Sequence, residues 1–197
     1  MSIPTTLRVI REEHHALKSM LQSMHLLIRQ GPEQDSMRFF RALRAMLFYI
    51  DQYPERLHHP KETELLFPQI PTTDPATAQA IAKLDSDHEK SQHAVRELQH
   101  LLLEWEFLGE SDRDKFVDAF ERYKLAYLDH MQLEESVVLP AALNHLTPET
   151  WKQIDDEFEK NRDPLTGRYS TTGVYEELFS RIAHDAPAPV GLGGSLQ

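Results

Sequence analysis

Two stretches of this chain carry the same phrase. LHHPKETELLFP occupies residues 57–68 and DHMQLEESVVLP occupies residues 129–140. In each, a His is followed by Glu four residues on and by Pro six residues beyond that: His58, Glu62 and Pro68, then His130, Glu134 and Pro140. Residues four apart on a helix differ by about 40° around the axis, so each imidazole shares a face with its carboxylate. One isolated pair of this kind is usually a surface hydrogen bond or ion pair. Two more histidines change that reading. His14 precedes His58 by 44 residues and His88 precedes His130 by 42, so a lone His followed by His-x-x-x-Glu occurs twice in order.

The apolar stripes say which way these side chains point. His14 lies between Ile10 and Leu17, whereas His15 falls with Arg8, Arg11, Lys18 and Gln22. His88 continues Ile81, Leu84 and Val95, while His93 and His100 fall with Glu89, Arg96 and Glu97. His130 and Glu134 continue Phe120, Tyr123 and Tyr127. Four imidazoles and two carboxylates are thus expected to converge. Buried without partners they would be costly, and a pair of metal ions would satisfy all six. Imidazole and carboxylate donors suit iron, manganese or zinc, and two central carboxylates can each bridge two metals. His59 lies near 100° from His58 on a regular helix, which would place Glu62 between two imidazoles. It is a further candidate ligand, against the alternative that it faces solvent.

The elements that must position these residues read as helices, because apolar residues recur every three or four positions. The stretches are 5–29, 35–66, 75–108 and 112–145, with Pro54 and Pro60 expected to kink or split the second. Asp74 is a good N-cap and Pro75 fits the first helical position. Short connections between four amphipathic helices predict an all-α, up-down-up-down four-helix bundle over residues 1–146. LTPET opens a short helix carrying Trp151, Ile154 and Phe158, NRDPLTG is a turn, 174–184 is another short helix, and the tail APAPVGLGGSLQ is irregular. Residues 147–197 are accordingly expected to be a C-terminal helical appendage packed on the bundle.

Composition narrows the field. The 197 residues include 32 acidic and 21 basic side chains, a formal net charge of -11. That argues against nucleic-acid or anionic-membrane partners. No cysteine is present, which removes disulfides, thiolate metal sites, iron–sulfur clusters and cysteine nucleophiles. No secretory signal or transmembrane run is visible, so a cytoplasmic location is the expectation. Nothing here speaks against a homodimer. Of the 11 histidines, His15, His25, His93, His100, His145 and His184 read as surface or hydrogen-bonded core residues. Glu64 and Glu135 read as solvated, and Trp105 and Trp151 as packing residues.

The segments REEHHAL, HHPKETELLFP, DSDHEKS and HMQLEESVVLP, in that order, resemble the hemerythrin-like, HHE cation-binding family over roughly residues 8–142. The resemblance implies a four-helix bundle with a non-haem di-iron centre, oxo- or hydroxo-bridged. Its ligands would be His14, His58, Glu62, His88, His130 and Glu134, with both Glu bridging. The oxygen-carrying hemerythrins have a second His one turn after the third-helix ligand, where this chain has Gln92, and an Asp five residues after the fourth-helix His, where this chain has Glu134 at four. The expected function is binding or sensing of O2 or NO, with a peroxide- or O2-consuming oxidase or peroxidase, or iron handling, as the alternative. If His59 binds, one metal position stays open, as a reversible binder needs. If it does not, two stay open, which suits peroxide or O2 activation. Gln92, Tyr123 and Tyr127 are candidates for the layer around the ligands.

Overall fold

The structure is a computed structural model, and it describes residues 3–166 and 176–191. Among them every regular element is helical. The long elements are α1 (Thr5–Gln30), α2 (Ser36–Gln52), α4 (Pro75–Leu108) and α5 (Arg113–Leu133). A short α3 (His59–Lys61) continues α2, and α6 (Leu139–His145) continues α5. Two smaller helices follow, α7 (Pro148–Phe158) and α8 (Glu176–Asp185). Of the helix expected at 174–184, residues 176–184 are helical, and residues 174–175 lie outside the described residues, as does the end of the expected tail.

Local chemistry sets the ends. Asp35 accepts a hydrogen bond from the Arg38 amide at 3.0 Å, Asp74 from Thr77 at 2.9 Å, and Thr147 from Thr150 at 3.2 Å. Gly31 and Gly109, at φ 76° and 100°, terminate α1 and α4 in a backbone region that residues with a Cβ avoid.

The segments between α2 and α3, after α3, and between α5 and α6 are wide π turns: Pro54–His58, Glu62–Leu66 and Glu134–Val138. The amide that closes each turn reaches back five residues: His59 to Pro54, Phe67 to Glu62, and Leu139 to Glu134. In all three cases the next residue is proline: Pro60, Pro68 and Pro140. A proline ring clashes with the carbonyl four residues earlier, and here that carbonyl belongs to Arg56, Glu64 or Ser136, inside the widened turn. The expected split is found at Pro54, since α2 ends at Gln52 and a π turn opens there, while at Pro60 the chain bulges by one residue and continues.

α1 packs against α2 and α5, and α4 against the same two, so the long helices enclose a common interior. α7 lies on α1 and α8 on α2. The interior holds two apolar clusters. One contains Leu17, Ile50, Val95, Tyr127 and Met131, and the other contains Ile10, Leu66, Leu84 and Val138. In sequence His14 falls between Ile10 and Leu17, His58 and Glu62 between Ile50 and Leu66, His88 between Leu84 and Val95, and His130 and Glu134 between Tyr127 and Val138. Each helical rod therefore passes through one apolar cluster, a polar layer and the second cluster. Burying both flanks keeps water from the layer between them.

Candidate metal centre

The polar layer collects seven side chains. His14, His58, Glu62 and Glu134 form one group and His59, His88 and His130 a second, with the donor atoms in each group within 4.8 Å of one another. All seven are buried, the two carboxylates completely. Glu62 spans the groups: its Oε1 is 2.7 Å from His58 Nε2 and its Oε2 is 3.3 Å from His88 Nε2. Glu134 Oε2 is 3.2 Å from His14 Nε2.

Those approaches lack hydrogen-bond geometry. Among the described residues the buried side-chain atoms without a hydrogen-bond partner are Arg38 Nε and eight atoms of this layer. The eight are the Nε2 atoms of His14, His58, His88 and His130 and both oxygens of Glu62 and Glu134. A buried polar group with no partner is costly and rare in a folded protein. Eight of them aimed at one another fit cations, because every orphan atom is a lone-pair donor once any proton on it is shed.

The other nitrogen of three of these rings is held from outside. His14 Nδ1 meets Glu135 at 2.8 Å, His58 Nδ1 meets Glu13 at 2.6 Å, and His88 Nδ1 meets the Thr63 hydroxyl at 2.8 Å. Thr63 donates onward to Asp85 at 2.9 Å, so its oxygen accepts from His88. His130 Nδ1 lies 3.8 Å from Asp87. The three hydrogen bonds fix the rings of His14, His58 and His88 with Nε2 facing inward, as the rings of metal-binding histidines are held. Glu135 is therefore not the freely solvated residue expected from its place on the helix, because its half-exposed carboxylate orients His14.

His59 differs from the other four. Its Nδ1–H donates to Glu55 at 3.1 Å, and its Nε2 accepts from the Tyr127 hydroxyl at 2.7 Å. Its ring stacks on that of His88, with centroids 4.1 Å apart. His59 is thus in the layer, and not facing solvent, but Tyr127 holds the atom that would bind a metal. Glu55 also accepts from Ser91 at 2.8 Å and Tyr123 at 3.2 Å. Gln92 is half-buried and does not line the cavity that opens beside His59 and Tyr127.

The charges divide the layer. Burial alone would lower the pKa of His14, but the Glu134 and Glu135 carboxylates outweigh it and hold the imidazole at about 9. For His58 burial is likewise outweighed, by Glu62 and Glu13, and its pKa stands well above the ordinary value. Burial and the neighbouring His88 push His59 well below its usual value and His130 down to about 3. Burial raises Glu134 to about 7, helped by the charge of Glu62. Glu62 itself stays low, because His58 and His88 overcome its burial. Burial also lifts Glu55 to about 7.

The segment after α7 closes the flank at His58. Asn161 donates to Glu13 Oε2 at 3.0 Å, the same oxygen that holds His58. Lys61 donates to the Glu157 carbonyl and to Asn161. Tyr49 donates to the buried Asp163 at 2.6 Å.

Residues 5–142 match the family model described as the hemerythrin HHE cation binding domain. The chain belongs to this family. Comparison with curated proteins finds no match. The HHE match accounts for the cation-binding chemistry, and it ends before Asn161 and Asp163. Sequence reasoning missed Glu13, Glu55, Thr63 and Asp87. Three of these adjoin a candidate ligand and Glu55 lies four residues before His59, so a search for acceptors one or four residues from each imidazole would have flagged them.

Proposed function

We propose that this HHE protein holds two iron ions and uses them to bind or sense a small diatomic ligand, O2 or NO. His14 and His58 would serve one metal, His88 and His130 the other, and Glu62 and Glu134 both. The observation that supports this most directly is the set of eight unpartnered lone-pair atoms on six buried residues. Manganese or zinc could occupy the same donors. The short connections between the long helices support an up-down-up-down order for the bundle around them.

Bound iron would supply Lewis acidity and electrons to a small ligand. The chain's own residues do the rest. Glu13, Glu135 and Thr63 orient three rings, and the two apolar clusters exclude water. Tyr127 and Glu55 hold His59 between them, so that a neutral imidazole and a hydroxyl stand beside the metal donors without joining them. That last feature favours a second reading, consumption of O2 or peroxide. A centre without His59 has more open positions, and Glu55, His59 and Tyr127 form a buried chain of proton-carrying groups at its edge.

The test is metal analysis together with the ultraviolet–visible spectrum of protein purified without chelator. Two irons per chain with near-ultraviolet charge-transfer bands are expected. A single zinc per chain without such bands would sink the reading. A spectrum that changes under O2 or NO and recovers under vacuum supports binding, whereas steady loss of added peroxide supports turnover.

A further inference from the structure

Beside the candidate centre α4 and α5 part around a cavity of ≈ 410 Å³. The side chains of His59, His130, Tyr123 and Tyr127 line its inner part, and Ala94, Ala119 and Ala126 supply short walls. Farther along the same two helices Leu98, Leu102, Phe116 and Phe120 are buried in one apolar cluster. The opening therefore comes from small residues at one level of an otherwise packed pair. A diatomic molecule needs about the volume of one water, roughly 30 Å³. The cavity is about ten times larger and falls in the range of sites that take organic ligands, about 300–1,000 Å³.

Its charged groups narrow the ligand. Lys90 from α4 and Arg122 from α5 both line it, and neither has a hydrogen-bond or ion-pair partner among the described residues. Asp87 also lines it but is paired with Lys83. Glu97 is the remaining carboxylate. Counting Lys83 beside Asp87, three cations meet two carboxylates here, a slight local excess of positive charge in a chain of net charge -11.

We propose that this cavity binds a small organic acid. Its carboxylate pairs with Lys90 and Arg122, its apolar body lies between the alanines, and its inner end meets Tyr127 and His59. The role of such an acid as a co-substrate rests on the metal reading above; its binding does not.

The experiment is calorimetric titration of the metal-loaded protein with benzoate and, in parallel, with benzamide, with iron measured on the same samples. Benzoate should bind, and benzamide should bind about tenfold more weakly or worse, because it lacks the charge. The double variant Lys90→Gln/Arg122→Gln should lose a similar factor for benzoate, and Ala94→Phe should abolish binding by filling the wall. Both cations are exposed, so the double variant keeps the fold. Absence of benzoate binding at millimolar concentration overturns the proposal, as does equal affinity for benzamide. Benzoate binding that persists in the double variant and scales with iron content would put the carboxylate on the metal, which also overturns it. Benzoate binding that the double variant loses, in protein that takes up no iron, would uphold the cavity, while the metal analysis itself refutes the metal reading.

Discussion

Metal binding should expel protons from this site. Without metal, His14 is held at about 9 and is therefore protonated at pH 8, and the Glu62 and Glu13 carboxylates push His58 in the same direction. His59 and His130 are pushed far down and carry no proton there. The Nε2 atom of His14 must give up its proton to bind a metal, so at least one proton should leave per filled site at pH 8. Apparent affinity then changes at least about tenfold per pH unit, close to 1.4 kcal/mol. Below pH 7 the slope should steepen, because Glu134, raised to about 7, is protonated as well. Stability of the metal-free chain runs the other way. The folded value of His14 lies above its unfolded value, so its contribution is full below about 6.5 and is lost as pH rises through about 9. Glu134, also raised, binds its proton more tightly when folded and acts in the same direction between about 4.5 and 7. The assay adds Mn(II) or Fe(II) anaerobically to metal-free protein in dilute buffer with a pH indicator, and follows metal-free melting from pH 6 to 9. Proton release of less than one per filled site at pH 8, or a metal-free melting temperature that rises with pH, would refute the reasoning.

Glu134→Gln should leave one iron or none, yet keep or raise the metal-free melting temperature at pH 8, because burial and Glu62 already disfavour that charge. Two irons in this variant by metal analysis would show that Glu134 bridges nothing. Tyr127→Phe frees His59 Nε2 and should keep both irons while shifting the near-ultraviolet bands. An unchanged spectrum would show that the hydroxyl does not control the centre. Asn161→Ala removes the donor that fixes Glu13, at a cost of about 1–3 kcal/mol, or roughly 2–10 °C in Tm for a chain of this length. It should also speed loss of iron to a chelator, and an unaltered rate would confine Asn161 to packing.

What the sequence revealed was periodic, and what it hid was not. The helical stretches at 5–29 and 75–108 are close to α1 and α4, because their stripes and caps are local signals. His14, His58, Glu62, His88, His130 and Glu134 could be brought together on paper because each continues an apolar stripe. The outer acceptors do not lie on those stripes. Glu13 is adjacent to His14 in sequence but serves His58, forty-five residues away. Glu135 sits on the polar side of its helix and reaches His14 across to α1. Asn161 joins from beyond the matched region. Such pairings depend on which helices are neighbours, and no window of one helix carries that information. His59 shows the same limit: its angle on an ideal helix placed it near Glu62, but only the approach of α5 shows that Tyr127 takes its Nε2.

The proline in the repeated phrase now has a physical role. In LHHPKETELLFP and DHMQLEESVVLP the Glu is the first residue of a wide turn and the Pro stands directly after the residue that closes it. A regular helix cannot accept the ring at that place without a clash at the carbonyl four residues back, so the proline makes the wider turn the cheaper path. The turn costs one residue of register, and the carboxylate sits where the register changes. Before it, His58 and His130 follow a helix that also carries the inner apolar stripe. After it, Leu66 and Phe67, and Val138 and Leu139, return to the core of the second apolar cluster. The bulge thus lets one rod bury a candidate ligand carboxylate completely and still bury the large side chains that follow. Because π turns are otherwise rare in helices, finding one at each carboxylate ties the backbone to the site. Periodicity alone cannot show this, since a one-residue bulge shifts the stripe by an angle that reads as ordinary scatter. The spacing of Glu to Pro is the local signal that does.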